Sequence, residues 1–112
     1  MSDIEITGNR VRINGTEVEL RHEVGDIVEH EGVILVRFDP PSGVTDETNV
    51  VGISPQGEKL WDIEQPEQQF RESFFKSIQK KDGDVLLKNW NSHEYRLNVR
   101  DGSIDRVGKW DR

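Results

Sequence analysis

Histidine is the first residue type to weigh, because imidazole serves as metal ligand, general base and pH-sensitive charge. The three histidines stand at His22, His30 and His93. A metal site wants two of them four apart on a helix, or two apart on a strand, so that both rings point to one side. These three lie far apart in the chain, and no metal ligand set is expected. Asp39, Asp46 and Glu47 crowd one loop, but they lack the spaced Asp/Asn ladder and distal glutamate of an oxygen-ligated calcium loop. Nucleophilic catalysis needs a hydroxyl beside a base that a third group orients. Ser92 and His93 are adjacent, so on a strand they point to opposite faces. With 22 acidic residues, some pair of carboxylates always offers acid–base chemistry, and that abundance singles out none. Gly8, Gly15, Gly57, Gly83 and Gly102 each fall at a turn rather than in a phosphate-cradling loop. No catalytic residue and no cofactor follow from these patterns.

Trp61, Trp90, Tyr95 and Trp110 can do binding chemistry instead, since tryptophan and tyrosine are enriched at interface hot spots. Trp90, Asn91, His93 and Tyr95 would form a polar, aromatic patch if the hairpin around 90–95 is exposed. The competing reading makes these aromatics anchors of a small core. The candidate binding residues are therefore Trp90, Asn91, His93 and Tyr95.

Composition narrows the partner. The 112 residues suit one domain, 1–112. Twenty-two acidic residues against fifteen basic ones leave a net charge of −7. That sign repels phosphate backbones and anionic lipid, so neither nucleic acid nor a membrane is expected as partner. The absence of cysteine excludes thiol catalysis, disulfides and cysteine zinc sites. No stretch approaches the ~18 apolar residues of a membrane span. Met1-Ser2-Asp3-Ile4-Glu5 lacks the charged and apolar regions of a signal peptide, and a cytoplasmic location is expected.

The elements that must position these residues read as strands. Ile4, Ile6, Val11, Ile13, Val18 and Leu20 alternate with charged residues, the period of a half-buried sheet. Asn14-Gly15 is a two-residue hairpin turn pairing Val11 with Val18 and Arg12 with Glu17. Gly8-Asn9 closes a second turn, pairing Ile6 with Val11 and Glu5 with Arg12. Both registers gather the aliphatics on one face and set a Glu5–Arg12–Glu17 row on the other. Residues 32–38 form a continuous apolar run, expected to be a central strand covered on both faces, with Ile27-Val28 before it. Asp39-Pro40-Pro41 stops that strand, and a polar loop follows to Thr48. A hairpin spans 49–53 and 58–63 about Ser54-Pro55-Gln56-Gly57. A short helix is expected near 66–72, then a strand turning at Asp82-Gly83, which pairs Ile78 with Leu87 and Phe75 with Trp90. Strands at 84–90 and 93–99 flank Asn91-Ser92, and Asp101-Gly102 sets Val99 opposite Ile104.

Two segments resemble the repeat of quinoprotein-type (PQQ-like) β-propellers, whose blades share a pattern of roughly Ala-Leu-Asp-x-x-x-Gly-Lys-x-x-Trp. Gly52-Ile53-Ser54-Pro55-Gln56-Gly57-Glu58-Lys59-Leu60-Trp61 is similar to one copy, with the turn one residue short. Arg96-Leu97-Asn98-Val99-Arg100-Asp101-Gly102 is similar to a second, with Arg106 where tryptophan would recur. The resemblance implies antiparallel sheets with tryptophan-anchored turns. A propeller needs at least four blades of about 40 residues, so no closed ring and no quinone site are implied. The chain is also similar to small one-domain β proteins with an Asn-Val-x-x-Ile…Gly-x-x-Leu-Trp core, here Asn49 to Trp61.

The expectation is a mainly β fold, an antiparallel meander of about 8–10 short strands packed as a small sandwich or open barrel, with at most one short helix near 66–72. Its expected role is non-enzymatic: a binding or interaction domain that meets a protein partner or self-associates through an edge strand. The alternative is a small-ligand-binding protein or enzyme with a pocket near loop 39–48 or turn 90–95.

Overall fold

A computed structural model describes residues 3–41, 43, 48–64, 75–89 and 93–109. The alternation in the first twenty positions becomes three short strands, β1 (Ile4–Thr7), β2 (Arg10–Ile13) and β3 (Thr16–Glu19). Their registers are those the aliphatic spacing demands: Ile6 opposite Val11, Glu5 opposite Arg12, and Val11 opposite Val18. Asn14 and Gly15 both take positive φ, 49° and 89°, as the tight hairpin turn requires. At the other turn only Gly8 does so, which matches the mirror-type turn that asks for glycine at its first central position.

The chain continues through β4 (Glu23–His30), β5 (Val33–Asp39), β6 (Val50–Ile53) and β7 (Lys59–Asp62), which form one four-stranded antiparallel sheet in sequence order. Strands β8 (Phe75–Lys81), β9 (Asp84–Asn89), β10 (His93–Leu97) and β11 (Ile104–Lys109) form a second, also a meander. Among the described residues there are eleven strands in three open sheets and no helix. The 66–72 segment lies outside the described residues. None of the sheets closes into a barrel.

The middle sheet is the central layer. Along β5, Ile34, Val36 and Phe38 join Val11, Ile13 and Leu20 of the N-terminal sheet in one core cluster. Leu35, on the other face, joins Trp61, Phe75, Leu87 and Tyr95 in a second cluster shared with the C-terminal sheet. All five residues from Ile34 to Phe38 are buried, as a strand covered on both faces must be. Burying each such aliphatic side chain contributes about 1.5–3 kcal/mol, and these two interfaces drive the fold.

The departures from expectation have one dominant cause, the β-bulge. The partner of β5 begins at Glu23 rather than Ile27, because an extra residue at Gly25 breaks the alternation that marks a strand in sequence. Phe75 pairs with Asn89 and not with Trp90, because Lys76 is an extra residue in β8, while Ile78 and Leu87 pair as expected. Val99 does not oppose Ile104; Leu97 does. Strand β10 ends two residues early, and Asn98 to Ser103 form a wider loop closed by the Asn98–Ser103 and Gly102–Asn98 backbone bonds.

Two side chains fasten the layers. Asn49 is fully buried; its amide donates to the carbonyls of Phe38 at 3.0 Å and Phe75 at 2.9 Å, and its oxygen accepts from the Phe75 N–H at 2.9 Å. It thereby behaves as a piece of backbone bridging β5 to β8. Trp61 donates its indole N–H to the Val99 carbonyl at 2.9 Å. The ring lies against Gly52 on the opposite strand and Gly102 in the β10–β11 loop, where a Cβ would fall among its ring atoms. Glycine at both positions leaves the slot that the indole fills.

Candidate functional site

Trp90 and Asn91 lie outside the described residues, and His93 is placed only as the first residue of β10, opposite Lys109. Tyr95 follows the core alternative. It is 3% exposed, its ring meets Phe75 edge-on at 5.8 Å, and its hydroxyl stands 3.5 Å from the Asn89 amide. The His22 ring, just before β4, lies tilted 5.7 Å from that of Phe38, and His30 ends β4 beside Glu31. Among the described residues no three His, Asp or Glu side chains converge as metal ligands.

Of the loop carboxylates, Asp46 and Glu47 lie outside the described residues. Asp39 is engaged with Arg37 at 2.6 Å, and Asp26 holds the same guanidinium at 2.8 Å. Burial opposes the charge on Arg37, but the two carboxylates outweigh it and raise its pKa above the ordinary value. Gly25 lies directly against the guanidinium, where a Cβ would collide with it. Among the described residues, two hollows of about 340 Å³ open on the surface. One is lined by Gly8, Asn9, Arg21, His22, Glu23, Asp39 and Pro41, beside the start of loop 39–48. Arg21 is already committed there, lying 4.7 Å over the Phe38 ring and donating to Thr48. The other is lined by Asp3, Ile4, Glu5, Arg12 and Gly15, along the N-terminal sheet.

The sheet edges distinguish the surfaces. Three open sheets present six edge strands, each a row of backbone groups able to pair with another chain. Both four-stranded sheets are interrupted at both edges: β4 is bulged at Gly25, β7 at Leu60, β8 at Lys76 and β11 at Val107. An extra residue twists the edge and breaks the spacing that an incoming strand must match. Leu60 and Val107, two of the three exposed large aliphatics among the described residues, are themselves bulge residues. Of the two edges left in the N-terminal sheet, β3 is overlaid by the Ser54–Gly57 turn, where Gly57 packs on Thr16 and Val18 and Asn14 donates to the Pro55 carbonyl.

Strand β1 is different. It is regular over its whole length, and among the described residues no strand pairs with its outer side. The two-residue turn makes Thr7–Arg10 and Glu5–Arg12 the hydrogen-bonded pairs, which aims the N–H and C=O groups of Ile4 and Ile6 outward. Ile6, the third exposed large aliphatic, is 52% exposed beside that edge. On the outer face Arg12 pairs with Glu5 at 3.5 Å, while Arg10 takes both Glu17 at 3.9 Å and Glu19 at 3.7 Å. The expected Glu5–Arg12–Glu17 row thus splits, with Glu17 drawn diagonally to Arg10. Sequence reading places Ile6 in the core with its neighbours; that the first strand of a meander lies at a sheet edge was the available signal for its exposure.

No helix among the described residues is long and apolar enough to cross a membrane. A comparison with functionally curated proteins finds no match. A family model matches residues 1–109, and the chain belongs to that family, the domain of unknown function DUF7957.

Proposed function

We propose that this domain is a non-enzymatic, cytoplasmic protein-interaction module that receives an extended segment of a partner along β1. One observation carries the reading: among the described residues β1 is a regular edge that no strand covers, the four-stranded sheets are bulged at every edge, and an exposed isoleucine lies beside β1. Strand addition draws affinity from backbone bonds and selectivity from alternate side chains, and β1 offers both.

The test is selection of peptides on the full chain from a random library, followed by rebinding to Ile6→Pro. Proline removes the outward N–H of residue 6 without touching the inner ladder. Peptides that bind the wild type and fail on the variant support the reading; peptides indifferent to the substitution refute it.

A second reading, small-ligand binding, is favoured by the hollow around Arg21, His22 and Asp39 beside loop 39–48. We propose further that the two segments resembling the quinoprotein-type repeat act as blade-like, tryptophan-anchored units. Contact between the two motif copies supports this, since Trp61 of the first bonds to Val99 and lies against Gly102 of the second.

A further inference from the structure

Resting on the reading of β1 as a docking edge, we infer that the segment it receives is an extended strand in which aliphatic residues alternate with lysine or arginine. Side-chain parity sets the pattern. Ile4 and Ile6 lie on the core-facing side of the N-terminal sheet with Val11 and Ile13, while Asp3, Glu5 and Thr7 lie on the other. A strand laid beside β1 puts every second residue next to the isoleucines, where an aliphatic extends the apolar face. Its remaining residues stand opposite Glu5 and Asp3.

The molecule already contains one such pairing. On its inner side β1 meets Arg10-Val11-Arg12-Ile13, with Ile4 opposite Ile13, Ile6 opposite Val11, and Glu5 opposite Arg12. Opposite charges across a strand pair favour one register and like charges disfavour it. The Glu5 side chain is 71% exposed and its contact with Arg12 is loose, at 3.5 Å, which leaves it able to accept a second cation. The hollow lined by Asp3, Ile4, Glu5, Arg12 and Gly15 has room for a long basic side chain reaching these carboxylates. The net charge of −7 steers a basic segment toward the domain and repels a second copy. Self-pairing fails locally too: the antiparallel register that matches Ile4 with Ile6 of a copy sets the two Glu5 carboxylates face to face.

The experiment titrates isotope-labelled full chain with two end-blocked peptides, Thr-Val-Lys-Val-Lys-Val-Thr and its counterpart with glutamate for lysine, at low salt. The lysine peptide is expected to shift the amide signals of Ile4, Glu5 and Ile6, and to bind at least ten-fold tighter than the glutamate peptide. Ile6→Pro should abolish that binding, and Glu5→Lys should erase or invert the preference. Equal binding of both peptides at β1 overturns the inferred chemistry and leaves the docking edge standing. If neither peptide moves the β1 signals, both readings fail. If the same signals move with protein concentration alone, and sedimentation shows a dimer, the occupant is a second copy and the inference is wrong.

Discussion

Replacing Asn49 tests how the layers are joined. Asn49→Leu keeps the branching of the side chain but leaves three backbone groups without the partner they have now: the Phe38 carbonyl, and the carbonyl and N–H of Phe75. Each buried polar group that loses its bond costs about 1–3 kcal/mol, so the three together cost roughly 3–9 kcal/mol, a large part of the ~5–15 kcal/mol of a whole domain. With a urea slope of about 1.5 kcal/mol/M, a loss near 4 kcal/mol moves the unfolding midpoint down by roughly 2.5 M.

Asn49→Asp separates hydrogen bonding from shape. One carboxylate oxygen still accepts from the Phe75 N–H, but the other faces two carbonyls where an amide donated. Burial and those carbonyls raise the folded pKa of the new acid above its unfolded value of about 3.9. A raised acid is most compatible with folding while protonated. The variant is therefore nearest to wild type below the unfolded value and loses stability as pH climbs through the folded one, at up to about 1.4 kcal/mol per pH unit. Urea titrations of both variants from about pH 4 to 8 decide the matter. A midpoint shift under about 0.5 M for Asn49→Leu, or an Asn49→Asp chain that gains on wild type as pH rises, would falsify the account of Asn49 as an interlayer bridge.

Gly52→Ala drives a methyl into the Trp61 ring and should cost about 1–3 kcal/mol, whereas in a Trp61→Ala background the same change should be nearly neutral. A double-mutant cycle that returns additive values contradicts that packing. Asp101 accepts first from the Ser103 N–H, at 2.9 Å, and then from its hydroxyl, at 2.7 Å, and these hold its carboxyl below the usual carboxylate range. A lowered acid stabilises the fold above its unfolded pKa, and that share disappears as pH falls through the folded value. The stability gap between wild type and Asp101→Ala should accordingly close between about pH 5 and pH 2; a gap that persists in acid rules it out.

How much of this was legible beforehand depends on the range of the forces involved. The N-terminal sheet could be drawn to the residue from its sequence, because period-two aliphatics and a two-residue Asn14-Gly15 turn specify face and register through neighbours a few residues away. The doubly covered β5 and the Asp82-Gly83 hairpin were legible for the same reason. The bulges at Gly25, Lys76 and Val107 were not, since an extra residue erases the alternation and is favoured only by the partner strand and the layer beneath it.

The candidate site divides along the same line. Alternation alone determined that Ile4 and Ile6 share a face opposite to Glu5, because the pleat sets side-chain direction locally. Tertiary structure alone decided that Tyr95 is buried, that Asn49 bridges two sheets, and that no strand among the described residues covers the outer edge of β1. Burial and exposure are properties of what other segments cover, and those segments lie far off in the chain: the turn at Pro55 shields β3 through Asn14, 41 residues away, and leaves Ile6 in water.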